Sequence, residues 1–496
     1  MLFNSITFLF VFLPVFLGIY FLLPGRVKKL YILIGGFIFL AWASISFLLV
    51  VLFSILINYQ LGLMMHQQKE KSGKRPYFII AIVVNLGMLL IFKYSGFLAS
   101  NFNSFSSLFG MKALKMPDFF LPLGISFYTF RILSYHIELF KGKIEVQKSL
   151  TSMALYISFF PQLSAGPIVR YRDFFIPAVK ANARLSIISN GLQRFLFGLI
   201  KKVLLANSFG LVADAVFKLS PAELTLTTAW LGVIAYTLQI YYDFSGYSDM
   251  AIGLAAILGF RTPENFNYPY MARSVRDFWR RWHMTLTSWF RDYLFLPLAL
   301  SFSRRMPAQS YFGIKSEKLI YIFGISITWF LVGLWHGASW TFIVWGLIYG
   351  AFLVMEQLGL EKKMRKLWRP LRHIYTILIV MLAWIFFRAA TFQEAFGVVK
   401  GMLGINGINS GEFEYYRYVT PGFVISGIAG IAGASGLLNF LRMKIWKMII
   451  GTKGKRNKQL KQIYRAVLAI SLLILFYFAV AELLRGGYNP FIYIRF

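Results

Sequence analysis

Arg273–Pro297 reads RSVRDFWRRWHMTLTSWFRDYLFLP, and a second tract, LVGLWHGASW at 331–340, carries His336. The first tract holds five arginines, two aspartates and His283 among three tryptophans, inside an otherwise apolar chain. Charged groups at membrane depth line cavities or pathways far more often than they face lipid. Read as one helix, the tract places Arg276, Arg280, His283 and Thr287 on one face and Phe278, Trp282 and Leu286 on another. Two readings stand side by side: a functional site, or an interfacial helix whose arginines meet headgroups and whose tryptophans join the aromatic belt.

Working outward, the 496 residues are 58% hydrophobic and only 14% charged, and the mean hydropathy is +0.63. Apolar runs of about 20 residues, each able to span the hydrocarbon layer, recur from end to end. The expected class is an all-α polytopic membrane protein forming a single domain over 1–496. A net charge of +33 would suggest nucleic acid in a soluble protein. Here the lysines and arginines cluster in short loops, as positive-inside topology requires, so no nucleic-acid partner is expected. The chain has no cysteine, which excludes thiol nucleophiles, disulfides and thiolate metal sites. Residues 3–23 lack a basic n-region and a small-residue cleavage site, and read as a retained first span.

The basic stretches GRVKK (25–29) and HQQKEKSGKR (66–75) mark cytoplasmic loops, with a span over 76–97 and a polar outer loop over 98–118. The tract 121–140 carries Ser126, Arg131 and His136 and calls for shielding by neighbours or a re-entrant path. Two prolines and a glycine in 157–170 argue against a continuous helix there. A span follows at 186–206, then a pair over 224–260 interrupted by QIYYDFSGYSDMA (239–251), whose Asp243 and Asp249 need partners. The arginines of 273–291 are the nearest plentiful ones. Further spans are expected at 338–358, 371–390, 421–440 and 466–484, with basic cytoplasmic linkers at 362–372 and 442–465. This topology leaves 488–496 at the outer face and predicts ten to twelve crossings plus re-entrant pieces.

Five histidines are present. His66 and His373 border basic linkers and read as solvated, and His136 as a hydrogen-bonded structural residue. His336 stands beside Gly337 and Ala338, which leave room for a substrate. An imidazole buried there is expected to be neutral and able to accept a hydroxyl proton; a packed His bonded to a backbone carbonyl is the competing reading. The histidine spacing lacks the local pairing of a zinc site, so no metal is expected.

The motifs LPLGISFYTF (121–130), FFPQLSAGPIVR (159–170), QIYYDFSGYSDMAIG (239–253), PENFNYPY (263–270), DFWRRWHMTLTSWFRDYL (277–294), LWHGASW (334–340), WIFFRA (384–389) and PFIYIRF (490–496) together resemble the membrane-bound O-acyltransferase (MBOAT) family. The likeness is greatest to its bacterial branch of alginate and peptidoglycan O-acetylation proteins, with core motifs over 121–390. It implies tilted and re-entrant helices around a central tunnel, a cytoplasmic acyl thioester such as acetyl-CoA as donor substrate, and no bound cofactor. It also implies that His336 is the essential base and His283 the second active-site histidine. Either His283 or donors such as Arg280 and Trp279 would steady the oxyanion. Trp335, Asp243, Ser245 and Asn265 are the further tunnel or substrate residues implied.

In related envelope systems a terminal tyrosine is proposed to carry the acyl group to a secreted partner, and the matching residue is Tyr493. The partner implied is an extracytoplasmic SGNH-type acetyltransferase, with a polysaccharide as final acceptor, at the bacterial cytoplasmic membrane. One departure is YLFLPLALSFSRR (293–305), which lacks the two glycines the family commonly has after its proline. The alternatives are a transporter of an acyl or lipid-linked carrier, and a direct acyltransferase on lipid or protein.

Overall fold

The structure is a computed structural model that describes residues 2–115, 119–174, 184–311, 313–409 and 415–492. In chain order its main helices are α1 (Phe8–Leu22), α2 (Gly25–Ala43), α3 (Ile45–Gln67), α4 (Lys71–Ser107), α5 (Ile125–Phe140), α6 (Leu150–Ser158), α7 (Leu185–Val216) and α8 (Leu226–Ile257). Then come α9 (Val275–Trp279), α10 (Met284–Phe290), α11 (Leu296–Arg305), α12 (Ser316–His336), α13 (Trp340–Met364), α14 (Arg369–Arg388) and α15 (Phe392–Met402). The bent pair α16 (Pro421–Ala434) and α17 (Leu437–Gly451) precedes α18 (Gly454–Leu484). Among the described residues seven helices are long and apolar enough to cross a membrane, or eight if the bent pair is one span. That is fewer than the ten to twelve expected, because several core helices carry polar residues that neighbouring helices serve.

α8 is the axis of the fold. The predicted interruption at 239–251 does not occur: α8 is one continuous 32-residue helix, buried without a gap from Ala235 to Ser248. No proline breaks it, and its two aspartates find partners elsewhere. Asp249 pairs with Arg194 at 2.9 Å and Lys201 at 2.6 Å, and Asp243 with Lys202 at 2.8 Å, all from α7. The expected partners in 273–291 are therefore replaced by the helix packed directly alongside.

Two reciprocal glycine pairs set that packing. A Cβ on Gly246 would lie 2.7 Å from the Gly198 carbonyl oxygen, and one on Gly198 would lie 2.5 Å from that of Gly246. Gly191 and Gly253 repeat the contact at 2.8 and 2.5 Å, so only glycine lets the two backbones touch. The α12–α13 hairpin is joined similarly, Gly333 facing the Phe342 carbonyl and Gly346 that of Trp329.

α5 is shielded on nearly every side, and His136 Nε2 lies 2.8 Å from Asn58 Oδ1, as its structural reading anticipated. His66 is exposed, while His373 is half-buried with Nδ1 3.0 Å from the Ala272 carbonyl. The 157–170 tract is broken as predicted, with α6 ending at Ser158. The expected span over 421–440 bends by 65° after Ala434, at Gly436 with φ +76°. The basic stretch 442–465 is helical, shared between α17 and the start of α18.

Candidate active site

The Arg273–Pro297 tract is two short helices, α9 and α10, separated at Arg280–His283. Local sequence holds neither proline nor glycine at the break; tertiary partners make it. The loop 263–270 bonds across it, Asn267 N–H to the Arg281 carbonyl and Met284 N–H to the Asn265 carbonyl, each at 2.9 Å. Glu356 of α13 accepts the Val275 and Arg276 amides at 2.7 and 3.0 Å, placing a carboxylate on the N-terminus of α9. His283 itself is left-handed, with φ +41°, one of two non-glycine residues with positive φ among those described. Strain of this kind persists only where surroundings over-determine it, and it concentrates at functional sites.

The break separates residues that a single helix would align. Arg276, Arg280 and Thr287 line a cavity, while His283 turns into the core and is fully buried. His283 Nδ1 lies 3.0 Å from Asn265 Oδ1, which also receives the Thr285 amide at 3.3 Å and the Thr285 hydroxyl at 2.9 Å. A backbone amide can only donate, so the oxygen of Asn265 faces this side and Nδ1 carries the hydrogen. Asn265 Nδ2 donates to Ser248 Oγ at 3.1 Å, which holds the amide in that orientation. Nε2 of His283 is then the lone-pair nitrogen, buried and without a hydrogen-bond partner among the described residues.

His336 ends α12 and is buried in an aromatic box, its ring centroid 4.6 Å from Trp335, 4.7 Å from Trp345 and 5.3 Å from Phe387. The two histidines lie within electrostatic reach of one another. Phe127 bridges them, 6.5 Å from His283 and 5.8 Å from Trp335. Around this box the indole N–H groups of Trp279, Trp335 and Trp345 and the hydroxyl of Tyr349 are buried with no acceptor among the described residues. Buried donors are almost always satisfied, which marks these four as candidates to meet a bound group.

Lys93 was not singled out in the sequence. Its Nζ, from α4, donates to the Trp335 carbonyl at 2.5 Å and the His336 carbonyl at 3.3 Å, capping the C-terminal end of α12 with an amine. The available signal was a lone lysine inside an apolar span.

Two cavities flank the ends of this part of the chain. The first, about 520 Å³, is lined by Arg276, Arg280 and Arg291 and by residues of α12 from Tyr321 to Val332. The second, about 310 Å³, begins past His336 with Ser339, Thr341 and Phe342 and includes Asp214, Arg388 and Tyr488. His336 thus stands between them along the chain. Arg280 has no ion-pair partner among the described residues, whereas Arg276 reaches Glu361 at 3.5 Å and Arg291 reaches Asp292 at 2.7 Å.

Of the other predicted residues, Trp279 lines the first cavity and Trp335 packs on His336. Asp243 and Ser245 are buried but line neither cavity. Asp243 instead meets Lys202 and the amide of Ile492. Tyr493 lies outside the described residues. The loop after Pro297 continues as α11, because Ala299 and Leu300 sustain the helix where glycines would end it. Among the described residues no three His, Asp or Glu side chains group as a metal site would require.

Comparison with known proteins places the chain among membrane acyltransferases. A sequence model described as "MBOAT, membrane-bound O-acyltransferase family" matches residues 36–392. The "Probable alginate O-acetylase AlgI" of Azotobacter vinelandii is 40% identical over 404 residues, covering 81% of this chain and 78% of that protein. The "Peptidoglycan O-acetyltransferase" of Helicobacter pylori is 35% identical over 447 residues, covering 82% and 81%. The "Teichoic acid D-alanyltransferase" of Bacillus subtilis is 28% identical over 270 residues, covering 53% and 66%.

Proposed function

Because the chain belongs to the membrane-bound O-acyltransferase family, we propose that this multi-pass O-acyltransferase carries a short acyl group, taken as acetyl, through the bacterial cytoplasmic membrane for polysaccharide O-acylation. The observation that carries the reading is the burial of His336 at the end of α12, with Trp329 and Val332 before it lining the first cavity and Ser339 and Thr341 after it lining the second. The arginine-lined first cavity suits the phosphates and thioester arm of a donor such as acetyl-CoA. The second suits a hydroxyl acceptor.

In the transfer, His336 takes the proton of the acceptor hydroxyl as that oxygen attacks the thioester carbonyl. The tetrahedral intermediate expels the thiolate, which receives the proton, and the acyl group remains on oxygen as an ester. His283 cannot donate to the oxyanion while its one N–H is held by Asn265, so it serves as a second proton acceptor. The open N–H groups of Trp279, Trp335 and Trp345 take the oxyanion role instead. The first acceptor is Tyr493, from which an extracytoplasmic SGNH-type partner passes the acyl group to the polysaccharide.

The test is mass spectrometry of the purified protein after incubation with isotopically labelled acetyl-CoA, beside His336→Ala and Tyr493→Phe. Label on the C-terminal peptide, absent from both variants, is expected. Thioester turnover that depends on His336 with no label on the protein would remove the tyrosine relay and keep the enzyme. Full turnover in His336→Ala would remove the base assignment.

A further inference from the structure

Residues 488–492 are held inside the protein by groups that take no part in the transfer just described. Beyond α18 the chain turns at Gly486, with φ +66°, and residues 488–492 run back among the helices. Lys202 Nζ donates to the Pro490 carbonyl and, at 2.8 Å, to Asn207 Oδ1, and lies 2.8 Å from Asp243 Oδ1. Asp243 Oδ2 accepts the Ile492 amide at 2.8 Å. Asn489 Oδ1 accepts from Asn4 Nδ2 at 2.7 Å and Asn207 Nδ2 at 3.1 Å, and the Phe491 ring stacks on Tyr247 at 4.5 Å. The Tyr488 hydroxyl donates to Asp214 Oδ2 at 2.6 Å. Gly210 makes room for that ring, since a Cβ there would lie 2.5 Å from Tyr488 Cε1.

The Lys202 and Asp243 side chains are 2% and 1% exposed. Buried ion pairs are poor stabilisers, so one charge near the middle of the central helix α8 and its partner on α7 call for another reason. Their remaining hydrogen-bonding capacity goes to backbone groups of the C-terminal segment, whose Tyr488, Pro490 and Ile492 form part of the second cavity wall. We propose that Lys202 and Asp243 are positioning residues: their ion pair clamps the C-terminal segment in the second cavity, where it meets the acyl group. The positioning half of this inference rests on the tyrosine relay.

The absence of cysteine supplies the probe. Ile492→Cys introduces a single thiol at a buried site, and Arg485→Cys one at a site 74% exposed. Maleimide modification rates are compared in the full chain with and without Lys202→Met/Asp243→Leu, which removes both charges and leaves neither stranded. Labelled acetyl on the C-terminal peptide is followed in the same backgrounds without the cysteines. The clamp predicts at least tenfold faster modification at 492, no change at 485, and at least tenfold less acetyl on the peptide. Phe491→Ala, altered in the tail itself, is expected to act in the same direction without touching the helices. An unchanged rate at 492 in both variants overturns the clamp. Faster modification with undiminished acetyl on the peptide overturns the positioning role. Faster modification when even the unaltered tail takes no acetyl supports the clamp and overturns the relay.

Discussion

At the scale of single residues, His283 and His336 do different work because their surroundings differ. Asn265 fixes the hydrogen of His283 on Nδ1, while His336 sits among aromatic rings whose indole donors are unspent. Trp345→Phe removes one such donor and keeps an aromatic ring beside the imidazole, at the cost of a smaller side chain. It is expected to lower kcat by roughly a hundredfold, the usual order for loss of an oxyanion donor, and to leave the donor KM within about threefold. Steady-state kinetics with acetyl-CoA checks this; equal loss in both parameters would place Trp345 in packing instead.

At the scale of elements, the glycine seam between α7 and α8 sets how closely the central helix is gripped, and the α12–α13 seam sets where His336 stands. Gly246→Leu forces a side chain into the Gly198 carbonyl and is expected to lower the unfolding temperature in detergent clearly. Gly18→Leu, at a position with nothing within 4 Å of its Cβ, is expected to leave it unchanged. A thermal-shift series over both variants decides it. Equal effects would mean that helix propensity, and not close approach, governs the seam. The same scale explains why α8 could not be drawn from sequence. Its aspartates look like interruptions until Arg194, Lys201 and Lys202 are seen alongside.

At the scale of the molecule, the proposed transfer needs the first cavity to face the cytoplasm and the second to face outward, the orientation that the basic loops predict. Ser72 and Ser107 are exposed at opposite ends of α4. A thiol at Ser72→Cys is expected to react with an impermeant maleimide only after cells are permeabilised, and one at Ser107→Cys in intact cells. The reverse pattern would invert the cavities and with them the direction of acyl transfer.

Composition and apolar run length alone determined that this is a polytopic helical membrane protein, because a span must satisfy its own backbone whatever its neighbours are. The order of motifs such as LWHGASW and DFWRRWHMTLTSWF pointed to the family and to both histidines, since those residues sit in unusual local sequence. Only the tertiary structure decided the break at Arg280–His283, the tautomer held by Asn265, the Lys93 amine at the end of α12 and the return of residues 488–492 to Asp243. Each of these depends on a partner far away in the chain. A buried polar group is stable only if something meets it, and local sequence shows the need without showing what fills it.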